Sequence, residues 1–275
     1  MIAGPTASGK SDLALRIAEA QDRVIVNADA LQVYEGWRVL TARPSAQDEA
    51  RAHHALYGHV PFETTYSVGA WMRALEPHLE TAPIIVGGTG LYFRALTGGL
   101  VDIPETPAAI RVEADAIPFR DLFQQLEDAD PVLAARIDRQ NRARVQRGWE
   151  VWRATGRPLS DWQADTPPPR LRLCDTQAFV MNTDTYWLIH RIERRFYIML
   201  DHGAFEEARE NAPRWSRAGG AAKAIGAPEL IAYLNGTLTL NAARDAAVIA
   251  SRQYAKRQRT WFRSNMGAWY PISLP

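Results

Sequence analysis

An α/β fold, a parallel sheet interrupted by an inserted small α-helical domain, is predicted by three observations. Short apolar runs that end in glycine or polar residues recur along the 275-residue chain: Met1-Ile2-Ala3 before Gly4, Val24-Ile25-Val26 before Asn27, Ile84-Ile85-Val86 before Gly87, and Phe179-Val180-Met181 before Asn182. Such runs read as buried parallel strands. Between them lie stretches with apolar residues at helical spacing, an alternation that belongs to a sheet covered by helices. From about Ala114 to Arg172 the runs stop, and Leu122, Leu126, Leu133, Val145, Trp149 and Trp152 fall in amphipathic helical settings.

Taken in order, Met1–Ala3 is short for a strand, so the strand is either abbreviated or begins upstream. Leu13, Ala14, Ile17 and Ala18 repeat at helical spacing directly after a glycine loop. Trp71 to Leu79 and Trp187 to Leu200 read as helices, the second closed by Gly203. The helical stretch runs into Thr166-Pro167-Pro168-Pro169-Arg170, which cannot continue a helix and stiffens a linker. The predicted division is a discontinuous core of residues 1–112 and 181–275 around a helical insertion of residues 113–180. No internal repeat is visible.

Hydrophobic residues at 47% and charged residues at 23% exclude long disorder, collagen and a coiled-coil rod. No stretch reaches the roughly 18–20 uninterrupted apolar residues of a membrane span, and the opening residues lack a basic and then apolar leader. No membrane association and a cytoplasmic location are therefore expected. The single cysteine, Cys174, excludes an internal disulfide and a cysteine-rich zinc site. His53, His54 and His59 lack the companions of a metal site, and structural roles are expected for them. A net charge of +1 excludes a uniformly basic coat, but it hides how 32 basic and 31 acidic residues are distributed.

Gly4-Pro5-Thr6-Ala7-Ser8-Gly9-Lys10-Ser11 fits G-x-x-x-x-G-K-[ST] between a strand and a helix, which makes the core P-loop NTPase-like. The backbone N–H groups of such a loop converge on phosphate oxygens, the helix N-terminus adds partial positive charge, Lys10 adds a point charge, and the Ser11 hydroxyl can hold Mg²⁺. A diphosphate and a triphosphate present similar oxygens, so the loop does not imply ATP. Asp29 and Asp184 both stand where a P-loop enzyme places a metal-holding acid. Gly87-Gly88-Thr89-Gly90 brings bare backbone and one hydroxyl to the carboxyl edge of the sheet, where ligands of open α/β folds bind.

Five separated segments resemble the tRNA dimethylallyltransferases, also called tRNA isopentenyltransferases. They are Gly4 to Ser11; Asn27-Ala28-Asp29-Ala30-Leu31-Gln32-Val33-Tyr34; Gly87-Gly88-Thr89-Gly90-Leu91-Tyr92; Arg144-Val145-Gln146-Arg147-Gly148-Trp149-Glu150-Val151 with Thr155-Gly156; and Arg252-Gln253-Tyr254-Ala255-Lys256-Arg257-Gln258-Arg259-Thr260-Trp261-Phe262-Arg263. His53-His54 and Tyr66-Ser67-Val68 are similar as well, so the resemblance covers nearly the whole chain.

The resemblance implies transfer of a dimethylallyl group from dimethylallyl diphosphate to N6 of the adenosine at tRNA position 37, in the anticodon stem-loop, with release of pyrophosphate. Residues Gly4 to Ser11 would then bind the diphosphate with Mg²⁺, and Asp29 would be the general base. An aspartate is ionised at neutral pH and can accept that proton; a strand-end or metal-holding acid is the other reading of this residue. Ala30, Leu31 and Gln32 would meet the target base, Thr89 would position the adenine or the diphosphate, and Arg111 stands at a tRNA-contacting position. The sequence departs from the family pattern at Ala30, where a serine is frequent, at Gly148-Trp149, usually Ala-Leu, and at Ile225-Gly226-Ala227-Pro228, where a tyrosine is usual.

Basic stripes point the same way without the family. Arg252, Lys256, Arg259 and Arg263 are spaced to share one face of a helix opened by Thr239, with no acid between the first and the last. In the insertion, Arg136, Arg139, Arg142, Arg144, Arg147, Arg153 and Arg157 face only Asp138 and Glu150 within their own span. Two basic patches in a near-neutral chain suggest phosphates of a structured RNA, although a solvated charged face is the ordinary alternative. A P-loop small-molecule kinase would explain Gly4 to Ser11 but not the stripes. An RNA-binding module without catalysis would explain the stripes but leave Asp29 and Thr89 idle. A monomer is expected.

Overall fold

The computed structural model describes residues 1–273. In chain order the core elements are β1 (Ile2–Ala3), α1 (Lys10–Gln21), β2 (Ile25–Asn27), α2 (Ala46–Arg51), β3 (His54–Ala55), α3 (Val68–Leu75), β4 (Ile84–Gly87) and α4 (Gly90–Gly98). Five helices follow: α5 (Ala108–Ala116), α6 (Phe119–Ala129), α7 (Pro131–Arg136), α8 (Arg142–Thr155) and α9 (Leu159–Ala164). The core resumes with β5 (Phe179–Met181), α10 (Thr185–Asp201), α11 (Ala204–Asn211), α12 (Ala227–Leu234), α13 (Leu240–Asn265) and β6 (Tyr270–Ile272).

The six strands form one sheet in the order β3-β2-β4-β1-β5-β6, and every recorded pairing is parallel. Each strand runs into the same edge, so the segments after β1, β2 and β4, which are neighbours in the sheet, are delivered side by side. The apolar runs become strands because both faces of the sheet are covered. Ala3, Val26 and Ile85 pack with Trp71, Phe93 and Leu96 on one side, and Ile2, Ile25 and Ile84 pack with Ala14, Leu15 and Ala18 of α1 on the other. Each large side chain buried there contributes roughly 1.5–3 kcal/mol. A further cluster joins Trp37, Leu40 and Phe62 to Phe196, Leu230 and Val248 from the C-terminal helices.

The division into compact units falls at 97/98 and 170/171, earlier at both ends than the expected 112/113 and 180/181. At the first boundary, Ile110 and Ala114 of α5 pack with Val145 and Trp149 of α8, so that helix belongs to the inserted unit. At the second, Leu171 and Leu173 already pack against the core cluster that holds Ala3 and Ala178. The proline run that ends the helical stretch, residues 166–170, lies directly at this boundary. Strands β3 and β6, of two and three residues, are edge strands that the apolar runs did not reveal. Trp149 is buried at 1% exposure and belongs to the insertion's core, as its spacing predicts.

Candidate active site

The phosphate loop leaves β1 at Gly4, whose N–H donates to the Gly87 carbonyl at 3.2 Å. Gly9 caps α1 with φ of 85°, a left-handed conformation that glycine adopts without steric cost. The first-turn amides of α1 have no acceptor within the helix and point from its end. Ser8 Oγ is fully buried with no hydrogen-bond partner among the described residues. Unsatisfied donors gathered at a helix N-terminus are what the oxygens of an anion complete. Lys10 is itself buried, and its Nζ donates to the Pro5 carbonyl at 3.3 Å. Burial draws its pKa from 10.5 down to about 8, against the pull of the Asp29 charge and with the push of Arg195.

Asp29 follows β2 and is nearly buried at 8% exposure. Asn27 builds the turn that holds it: Asn27 Oδ1 accepts from the Asp29 N–H at 2.8 Å, and Asn27 Nδ2 donates to the carbonyls of Asp29 and Leu56, each at 3.0 Å. Trp71 Nε1 donates to the Asn27 carbonyl at 2.8 Å from beneath. The Asp29 carboxylate uses one oxygen to accept from the Leu31 N–H at 3.0 Å. Thr89, after β4, accepts from the Ala30 N–H through Oγ1 at 2.9 Å, and its own N–H donates to the Ala28 carbonyl at 3.1 Å. Asp29 and Thr89 are thereby tied into one unit, and Ala30 takes part in it through its backbone.

Two cavities meet at the phosphate loop, and Lys10, Ser11, Gln32, Ala42 and Arg195 line both. One, of about 80 Å³, adds Asp29, Leu31 and Tyr254 to an apolar wall that includes Leu40, Ile192 and Phe196. The other, of about 280 Å³, runs past Ser8, Gly9, Asp48, His54 and Tyr57. Gln32 donates through its amide nitrogen to the carbonyls of Thr41 and Ala42 at 2.8 and 2.9 Å.

Four further cavity or loop partners stand on C-terminal helices: Arg191 and Arg195 escaped the sequence reading, whereas Tyr254 and Gln258 lay in the 252–263 segment without a role at the phosphate loop. Arg195 of α10 is hydrogen-bonded to the Thr6 hydroxyl, and Arg191 donates to the Ala7 carbonyl at 3.0 Å. Burial lowers the Arg195 pKa to about 10, so it stays a cation through the neutral range. Gln258 of α13 accepts from the Thr6 N–H at 2.8 Å and donates to the Gly88 carbonyl at 2.9 Å. Tyr254, one turn earlier, lines the smaller cavity with its phenol near Thr89 and Gln258, and burial raises its pKa. Arg191 and Arg195 are spaced by four and flank the apolar face of their helix, a signal that the sequence did carry. Asp184 instead caps α10, accepting from the Trp187 N–H at 2.9 Å.

The basic stripe on α13 forms as its spacing predicts, on a helix capped by Thr239. It is not free of acids, because Glu193 of α10 meets Arg252 at 2.8 Å, and Arg259 donates to the Thr185 hydroxyl at 2.6 Å. Lys256 and Arg263 are exposed and have no ion-pair partner among the described residues. In the insertion, acids from neighbouring helices reach the arginines: Glu113 pairs with Arg153 at 3.1 Å, Glu127 approaches Arg139 at 3.9 Å, and Asp165 pairs with Arg157. Arg142 donates to the carbonyls of Ala114 and Ile117, Arg147 to the Thr106 hydroxyl at 2.7 Å, and Arg111 lies 3.9 Å from Glu150. Counting acids within the span missed the packing of one helix on the next. Arg144 remains exposed. His54 Nδ1 lies 2.8 Å from the Ala52 carbonyl and His59 Nε2 lies 3.1 Å from the Tyr66 hydroxyl. No described helix is long and apolar enough to cross a membrane.

The model of the IPP transferase family matches residues 32–265. A curated tRNA dimethylallyltransferase of Jannaschia sp. (strain CCS1) is 63% identical over 275 residues, covering 100% of this chain and 96% of its own. That match includes the phosphate loop and Asp29, which precede the family-model range. Among solved structures, the full-length tRNA isopentenylpyrophosphate transferase of Bacillus halodurans has a TM-score of 0.68 at 30% identity and covers 99% of this chain and 88% of its own. A eukaryotic dimethylallyltransferase, described as acting on tRNA, has a TM-score of 0.83 at 25% identity, covering 99% of this chain and 72% of its own. These likenesses fit the P-loop-like α/β fold, and they do not favour a small-molecule kinase.

Proposed function

The chain belongs to the IPP transferase family, and from that membership we propose that it transfers the dimethylallyl group of dimethylallyl diphosphate to N6 of adenosine 37 in tRNA, releasing pyrophosphate. The observation that carries this is one cavity in which the carboxylate of Asp29 stands beside the cations Lys10 and Arg195. A kinase needs cations around its phosphates; an acid held among them, with an apolar wall alongside, suits a reaction in which an amine loses a proton as an apolar carbon chain leaves its diphosphate.

The phosphate loop, Lys10 and Arg195 would bind the diphosphate. The N6 lone pair attacks C1 of the dimethylallyl group, the C1–O bond breaks, and the diphosphate departs with the bonding pair. The N6 proton passes to the Asp29 carboxylate. Thr89 and Gln32 hold the acceptor base, which must be unstacked for its N6 to be reached. Cations around the leaving group stabilise charge as it develops in the transition state.

A Mg²⁺ ion fits the donors present. Ser11 lines both cavities, and its hydroxyl is a hard oxygen of the kind that Mg²⁺ takes together with water and substrate phosphate oxygens. No cluster of three or more metal-ligating His, Cys, Asp or Glu side chains exists among the described residues, so the ion would arrive with the diphosphate. When bound it would neutralise charge on the leaving group.

Incubating the protein and Mg²⁺ with unmodified tRNA carrying adenosine 37, with either dimethylallyl diphosphate or ATP, and weighing the digested nucleosides tests the proposal. One prenyl unit gained with the former alone supports it; ATP turnover without prenylation sinks it. We read the acting unit as a cytoplasmic monomer, and sedimentation at micromolar concentration checks the monomer.

Engagement of tRNA would use the cations that have no internal partner. Replacing both Lys256 and Arg263 with alanine is expected to weaken tRNA binding and to reduce the slope of log affinity against log salt by about 1–2, leaving pyrophosphate affinity unchanged. An unaltered salt slope would place the RNA elsewhere.

A further inference from the structure

We propose that Gln258 is a positioning residue for the transfer reaction, holding the phosphate loop and the Asp29–Thr89 unit at a fixed separation; this rests on the proposed function above. Its side chain is buried at 6% exposure and uses both ends of its amide. The carbonyl oxygen accepts from the Thr6 N–H at 2.8 Å and the nitrogen donates to the Gly88 carbonyl at 2.9 Å. The first contact fixes the limb that leads to Lys10, and the second fixes the limb that carries Thr89.

Two further observations show how little play the arrangement has. A Cβ at Gly88 would lie 2.2 Å from Gln258 Nε2 and 2.9 Å from Asp29 Oδ2. The bare face of Gly88 therefore meets both the Gln258 amide and the Asp29 carboxylate, which leaves no space there for a side chain. Tyr254, one helical turn away on α13, sets its phenol beside both Thr89 and Gln258. Thr6 is held from its other side by Arg195. The donor cradle and the proton acceptor come from different strands, and a misplacement of about 1 Å between reacting groups costs a rate factor on the order of 10².

Gln258→Leu removes both contacts. Its kcat is expected to fall about 10- to 100-fold and its affinity for inorganic pyrophosphate to fall as well, while KM for tRNA stays unchanged. Gln258→Glu keeps the oxygen that accepts from Thr6 but sets a second oxygen against the Gly88 carbonyl. It should therefore lose kcat by about tenfold or more while pyrophosphate affinity is preserved. That split between turnover and donor-site affinity would not follow from a general loss of stability. Tyr254→Phe, which keeps its packing, should lower kcat less, leaving both KM values unaltered.

Turnover of both Gln258 variants at the wild-type level overturns the proposal. So does a loss of kcat that tracks pyrophosphate affinity and the melting temperature together in every variant. If Gln258→Leu does not fold, the near-isosteric Gln258→Glu and Tyr254→Phe decide. If the wild-type protein itself transfers no prenyl group, the proposed function fails instead, and the pyrophosphate titration still judges the Thr6 contact: unchanged affinity in folded Gln258→Leu overturns it.

Discussion

Asp29→Asn is expected to lower kcat by about 10²- to 10⁴-fold, the usual contribution of a positioned general base, with KM for tRNA and for dimethylallyl diphosphate little altered. Asparagine is the informative choice because its side-chain oxygen can still accept from the Leu31 N–H, the bond that Asp29 makes at 3.0 Å. The Asn27 bonds that build the turn involve the backbone of residue 29 and survive the change. What disappears is the negative charge facing Lys10 and Arg195. Removing it makes the diphosphate cradle more electropositive, so donor binding should hold or tighten while chemistry fails. A single-turnover assay with saturating tRNA, beside a titration with pyrophosphate, separates the two. Unchanged turnover would withdraw Asp29 as the base and leave it a strand-end acid with a structural role.

The residues legible in the sequence share a property: each lies within a few positions of the carboxyl end of an apolar run. Lys10, Asp29 and Thr89 follow β1, β2 and β4, which are neighbours in the sheet, so local pattern alone delivers them to one edge. Arg191, Arg195, Tyr254 and Gln258 reach the same edge through tertiary packing. Gln258 meets Thr6 across 252 positions of sequence, and no periodicity records which helix will close over the loop. Their helices were legible, as was the spacing of Arg191 and Arg195. The face they would present was not, because α10 and α13 bury one side among each other's residues and the phosphate loop at once. The insertion arginines fail in the opposite sense. Their clustering is plain in the sequence, but Glu113, Glu127 and Asp165 come from outside the counted span and turn much of the stripe into internal ion pairs.

Lys10→Met should raise KM for dimethylallyl diphosphate by about 10- to 150-fold, the equivalent of one charge-assisted hydrogen bond of roughly 1.5–3 kcal/mol, while leaving KM for tRNA alone. Methionine is preferred because it fills the buried space of the lysine stem without its charge. The pH dependence gives the same residue a second signature. In the ligand-free protein burial draws the Lys10 pKa down to about 8, whereas a bound diphosphate stabilises the ammonium and raises it. Below pH 8 the ammonium is already formed and binding takes up no proton there, so donor affinity is flat with respect to this group. Above pH 8 the free protein loses the proton that the complex keeps, and affinity should fall by up to about tenfold per pH unit until the pKa of the complex is reached. Pyrophosphate titrations between pH 7 and 9.5 read this directly. A decline in the wild type that is missing in Lys10→Met assigns it to Lys10; the same decline in both proteins would move the titration to another group, and parallel flat profiles would mean that the ammonium does not touch the diphosphate.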